Sequence, residues 1–188
     1  KLSVFRGTEP WIRIFPNKHL IRNPVYRAYD DLVLLFIDHG ADVNAMSGSG
    51  STALIDAVYV GKLEVVALLL DRGADVNAVS ESGSTALLAA ARAGRDTGAA
   101  ALLIAHGADL NAQDRRGDTP LLAAVEHGQE ALVLLLVNNG ADIALANKEG
   151  TTPLQLAAQS GFVQIAEILQ KVQDEQNSTQ GLATSKKV

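Results

Sequence analysis

The sequence predicts an all-α repeat solenoid, with stacked helix–turn–helix units joined by β-hairpin fingers. About four full or near-full units follow a degenerate N-terminal segment. Three observations predict this class. Gly-Ala-Asp recurs at Gly40, Gly73, Gly107 and Gly140, spaced 33, 34 and 33 residues apart. Thr-(Ala/Pro)-Leu recurs at Thr52, Thr85, Thr119 and Thr152 with the same three spacings. Each unit then holds an Ala-rich stretch, a glycine and a Leu/Val-rich stretch. Two independent markers in one register, at a period of roughly 20–50 residues, signify a repeat array.

Each threonine stands where a first helix begins, its hydroxyl placed to accept an orphan backbone N–H. Pro120 and Pro153 follow at the first helical position, where no N–H is needed; Ala53 and Ala86 stand there in the earlier units. Ala57, Ala90, Ala124 and Ala157 keep the first helix slim, so that a neighbouring unit can stack closely. Gly61, Gly94, Gly128 and Gly161 break the chain between helices. The second helices carry Leu68–Leu70, Leu102–Ile104, Leu134–Leu136 and Ile168–Leu169, apolar on more than one side, as expected of helices sandwiched between neighbours. Gly73, Gly107 and Gly140 end them. The following Asp-Val-Asn runs open the fingers, whose polar side chains satisfy turn backbone. No unit can bury its own apolar faces, so stability is a sum over units and interfaces.

These residues resemble the ankyrin repeat, whose period is about 33 residues and whose signature includes Thr-Pro-Leu-His. The resemblance covers residues 29–172, in units near 29–46, 47–79, 80–113, 114–146 and 147–172. Residues 1–28 form a divergent aromatic and basic N-terminal cap. Six of the chain's eight aromatic residues fall in the first 36 positions. The segment is expected to cover the exposed end of the array; a partner-docking or oligomerisation role is the alternative. Residues 173–188 are a polar C-terminal tail, with 177–188 expected as a flexible extension.

Composition narrows the function classes. The chain has 188 residues, 47% of them hydrophobic and 20% charged, which fits a globular protein. It has no cysteine, which removes disulfides, thiolate zinc sites and a cysteine nucleophile. No apolar run approaches the roughly 18 residues of a membrane span. Net charge is −5, with a basic start and an acidic body, which disfavours a phosphate backbone as partner. The cytoplasm is slightly favoured as compartment, and a start at Lys1 leaves an exported or processed form open.

No motif carries catalytic chemistry. Gly48-Ser49-Gly50-Ser51-Thr52-Ala53 superficially fits a dinucleotide loop, but Gly83-Ser84-Thr85 repeats it in register. His39 and His106 precede the terminal glycine of a second helix, where a donor suits the last carbonyls. His127 precedes Gly128 and is expected as an exposed contact residue. Asp56 stands in a first helix where the other units have Ala89, Ala123 and Leu156; it either pairs locally or faces a partner. No enzyme, cofactor or metal is expected.

The resemblance implies a protein-binding scaffold that engages its partner through finger tips and first helices lining a concave groove. Carried over by register, the contact positions are Tyr59, Val60, Arg92, Ala93, Glu126, His127 and Gln159 before the inter-helix turns. On the fingers they are Glu81, Ser82, Arg115, Arg116, Asp118, Lys148 and Glu149. Tyr59 and Arg92 are the expected anchors, since Tyr and Arg dominate interface hot spots. Arg115, Arg116 and Lys148 form a basic stripe suited to an acidic segment. The partner is another protein, with nucleic acid and membrane not expected. A monomer is favoured over self-association through the N-terminal segment. A regulatory or targeting module of a larger enzyme, or an acidic inhibitor of a basic one, are the alternative readings.

Three departures from the family pattern stand out. Ile55, Leu88, Leu122 and Gln155 replace the signature His, so apolar contact is expected to substitute. Ala144 replaces the finger Asn of Asn44, Asn77 and Asn111, so the last finger is expected to be less firmly tied. The 34-residue spacing adds a residue near Arg95–Gly98, where the inter-helix turn should bulge away from the fingers.

Overall fold

The structure is a computed structural model that describes residues 33, 35–48, 50–94 and 97–185. The expectations for residues 1–28, for Ser49 and for the bulge at Arg95 and Asp96 lie outside the described residues. The chain divides into two compact units, Lys1–Asp109 and Leu110–Val188.

In the first unit, residues 35–38 are helical. There follow α1 (Ala53–Val60), α2 (Leu63–Asp71), α3 (Ala86–Ala93) and α4 (Gly98–Ala105). Helix α1 packs on α2 and α3, and α4 packs on α3 and α2. The second unit repeats the plan with α5 (Pro120–Glu126), α6 (Glu130–Asn138), α7 (Pro153–Ser160) and α8 (Val163–Ser185). Here α5 packs on α6 and α7, and α8 on α7 and α6. Each helix therefore has two helix neighbours, which explains why the second helices carry apolar residues on more than one side.

The helix starts follow the expected chemistry. Thr52, Thr85, Thr119 and Thr152 sit in extended backbone and accept from the N–H of Ile55, Leu88, Leu122 and Gln155. In the first three repeats the N3 side chain is apolar and buried, as expected: Ile55, Leu88 and Leu122 belong to the core. The fourth differs, because Gln155 is exposed and its Oε1 accepts from the Thr152 N–H at 3.0 Å, completing a capping box. The helix ends follow the pattern too: Gly61 (φ 80°) and Gly73 (φ 82°) take the left-handed conformation that lets the chain reverse.

The core is a register, not a cluster. Leu69, Leu103 and Leu136, one per second helix, are fully buried, and Leu169 nearly so. Ala57, Ala124 and Ala157 are also sealed, giving the close helix approach that their small side chains permit. Burying one such leucine contributes about 1.5–3 kcal/mol.

Two expectations need correction. The fingers are hairpin-shaped turns and not strand pairs: among the described residues the sole β-bridge is isolated and antiparallel, Met46 to Thr52. Only residues 45–47 lie between the Asp-Val-Asn turn and the finger tip, and Thr52 already caps a helix, so a ladder has no room to extend. The tail is also different. Helix α8 runs through the polar stretch to Ser185 instead of giving way to a flexible extension beyond residue 176. Its Gln, Glu, Lys and Asp side chains suit a solvated helix, and Gln170 bonds to Asp174 one turn on at 3.0 Å.

Candidate partner-binding surface

Each finger is closed by the same pair of backbone bonds. In the first, the Ser47 N–H donates to the Ser51 carbonyl at 2.8 Å and the Gly50 N–H to the Ser47 carbonyl at 2.8 Å. The others repeat this at Ser80/Ser84, Asp114/Asp118 and Asn147/Thr151. The first residue of each finger also folds its side chain back onto the turn. Ser47 and Ser80 hydroxyls accept from the N–H four residues on. Asp114 accepts from Arg116 and Asp118, and Asn147 from Glu149 and Thr151. The tips are thus rigid frames that hold their outermost side chains away from the core.

In the first unit these tips expose Glu81 and Ser82. At the ends of α1 and α3, Tyr59 is exposed (43%), while Val60, Arg92 and Ala93 are half-buried. Because α1 and α3 pack together, Tyr59 and Arg92 close adjacent helices of one layer. In the second unit Arg115, Arg116, Lys148 and Glu149 are exposed on the fingers, and Glu126, His127 and Gln159 at the first-helix ends.

Asp118 does not belong to that surface. It is buried (4% exposed), with its Oδ2 taking the Arg116 Nε at 2.8 Å and Nη2 at 2.7 Å. Its Oδ1 accepts from the Asn147 amide at 3.3 Å. The carboxylate is a strut between two fingers, and its charge holds the Arg116 guanidinium even more firmly protonated than usual. The basic stripe is correspondingly modified: Arg116 is tied to Asp118 and reaches Glu126 at 3.8 Å.

Asp56 pairs locally. The Ser51 hydroxyl donates to its Oδ1 at 2.8 Å. Burial pushes its carboxyl above the ordinary range, and the Ser51 hydrogen bond only partly offsets this. The histidines act as helix-end donors: Nδ1 of His39, His106 and His127 lies 2.7, 2.9 and 2.9 Å from the carbonyl four residues back. His127 thus has the same local role while remaining exposed. Among the described residues no group of three or more His, Asp or Glu could hold a metal ion, and no helix is long and apolar enough to cross a membrane.

Two surface features were not singled out from sequence, and a third was only half legible there. Met46 and Val79, at one finger register, are about half exposed (50% and 49%). Gln113, their counterpart in the second unit, instead donates to the carbonyls of Gly117 and Ala146, joining two fingers. The third is the finger Asn, which ties its finger to the turn one repeat on within the same unit: Asn44 Oδ1 accepts from Asp75 N–H, and Asn111 Oδ1 from Asp142 N–H. The recurrence of Asn in the sequence was visible; its reach of some thirty residues was not.

Tandem helix pairs, threonine-capped, glycine-terminated and linked by rigid exposed turns, define a helical repeat protein that presents side chains from a constant frame. A family model described as ankyrin repeats (3 copies) matches residues 24–114 and 96–180. The chain belongs to the ankyrin repeat family, whose members generally mediate protein–protein interaction. No curated protein matches it.

Proposed function

We propose that this chain is a non-catalytic scaffold that binds a partner protein through the finger tips and first-helix ends of its units. One observation carries the reading. The framework positions repeat along the chain, whereas the outer ones change chemistry: exposed Tyr59 and half-buried Arg92 at one register, exposed Glu81, Arg115 and Lys148 at another. A fixed frame with exchangeable outer side chains suits recognition. Tyr59 and Arg92 are the proposed anchors in the first unit, since both residue types add large contact area and hydrogen bonding.

The test is affinity capture from an extract of the source cells with the wild-type chain beside a Tyr59→Ala/Arg92→Ala variant of unchanged helical circular dichroism. A protein retained by wild type and lost by the variant supports the reading. Equal retention by both moves the contact away from this surface, and no specific retention counts against a scaffold role in that cell.

A further inference from the structure

We infer that the two fingers of the second unit form a recognition site for an acidic segment of the partner, with Arg116 as the donor and Asp118 as the positioning residue that aims it. The inference rests on the scaffold reading and adds the partner's chemistry to it.

Charge distribution is the first observation. Between residues 110 and 170 the only Lys or Arg residues are Arg115, Arg116 and Lys148, and all three lie on these fingers. The fingers of the first unit carry none. All three side chains are exposed. The fingers are also held side by side, because the Lys148 N–H donates to the Arg116 carbonyl at 3.0 Å and Gln113 spans to Ala146.

Geometry is the second. An exposed arginine normally loses side-chain entropy on binding, which erodes the value of its contacts. Arg116 has already lost it: the buried Asp118 engages Nε and Nη2, and Asn147 fixes Asp118 from the other finger. The Arg116 side chain nevertheless remains 66% exposed. Among the described residues Nη1 has no acceptor, so one edge of the guanidinium is held outward for a carboxylate. Glu126, 3.8 Å from Nη2, is the nearest competitor. At that distance and exposure the pair is weak, and an incoming carboxylate with closer, forked geometry displaces it. Glu149 is also exposed on the same finger and sets a limit on how many acidic groups can approach. Asp114 is engaged with backbone N–H groups.

The experiment uses the full chain and two fluorescein-labelled probes, hexaglutamate and hexaglutamine, read by fluorescence anisotropy at an ionic strength of about 20 mM, where screening is slight. Hexaglutamate is expected to bind and hexaglutamine not. Arg116→Lys keeps the charge but loses the fork, and should weaken hexaglutamate binding about fivefold. Asp118→Asn should weaken it comparably, whereas Glu126→Gln should strengthen it, an effect that a purely structural role for Arg116 would not produce. If Asp118→Asn loses helical signal, Arg116→Lys and Glu126→Gln carry the test. Equal binding of the two probes, or hexaglutamate binding unmoved by Arg116→Lys, overturns the assignment. A captured partner that depends on Tyr59 and Arg92, from a chain that ignores hexaglutamate, overturns the acidic-segment assignment alone and leaves the scaffold reading standing.

Discussion

Asn77 fastens its finger base to the turn that closes the following helix pair: its Oδ1 accepts from the Asp109 N–H at 2.8 Å, and its Nδ2 donates to the Gly107 carbonyl at 3.1 Å. One side chain thereby satisfies a donor and an acceptor left over by a turn some thirty residues downstream. Asn44 does the same toward Asp75 and Gly73.

Asn77→Ala removes both bonds and should lower stability by about 1–2 kcal/mol, since the freed groups can reach water and each bond contributes about 1 kcal/mol net. Urea unfolding followed by circular dichroism measures it as a lower midpoint at unchanged slope. The reciprocal change, Ala144→Asn, should shift the midpoint little. One repeat beyond Gly140 the chain is inside α8, so no downstream turn waits for an asparagine there. A clear gain from Ala144→Asn would contradict this account.

Asp56 makes the first unit pH-dependent in an unusual direction. Its carboxyl is raised above the ordinary range by burial, with the Ser51 hydrogen bond opposing. A raised folded pKa means the native state holds the proton more tightly than the unfolded chain. The group therefore favours folding below its unfolded pKa, and that contribution is lost as pH rises through the folded value. At neutral pH the half-buried charge is a net cost. Asp56→Ala, which installs the side chain found at Ala89 and Ala123, should stabilise by about 0.5–1 kcal/mol at pH 7. The gain should shrink as pH falls through the raised folded pKa to the unfolded value, and stay constant below it. Thermal melts of both proteins at pH 7 and about pH 3, below the ordinary aspartate pKa, would show it; an equal gain at both pH values would rule out the titration.

The framework was legible in the sequence because its causes are local. A threonine cap acts on the N–H three residues later, and a left-handed glycine acts on its own φ, so Thr119 and Gly107 declare their roles within a few positions. Where the cause is distant, legibility fails. Asp118 reads as one more exposed finger residue until Asn147, a repeat away, is seen against it. Helix α8 was masked by its polarity, since composition alone does not separate a solvated helix from a loose tail. The apolar pair Met46 and Val79 escaped because exposure of a hydrophobic residue is a property of its neighbours.

Two leucines of α6, two positions apart, should behave very differently. Leu136 is fully buried, whereas Leu134 is 38% exposed. Leu136→Ala opens a cavity between packed helices and should cost about 2–5 kcal/mol, depending on how far the neighbours collapse. Leu134→Ala removes only partly buried surface and should cost about 1 kcal/mol or less. Urea midpoints for the two variants give the comparison, and similar losses would mean that the register of α6 has been misplaced.

Gly117 and Gly150 occupy equivalent finger positions with nearly the same left-handed backbone, φ 80° and 78°. They differ in what stands beside them. A Cβ on Gly117 would meet the Lys148 backbone nitrogen at 2.7 Å, whereas one on Gly150 would meet nothing within 4 Å. Gly150→Ala should therefore cost only the conformational penalty, about 1–2 kcal/mol. Gly117→Ala carries the same penalty and must in addition push the neighbouring finger away, breaking the bond from the Lys148 N–H to the Arg116 carbonyl. Its loss should exceed that of Gly150→Ala by at least about 1 kcal/mol. Amide hydrogen exchange separates the causes: Lys148 should lose protection in Gly117→Ala and keep it in Gly150→Ala. If the two variants lose the same stability and Lys148 stays protected in both, the fingers of the second unit are not stacked as described, and the preorganisation of Arg116 by Asp118 and Asn147 loses its structural basis.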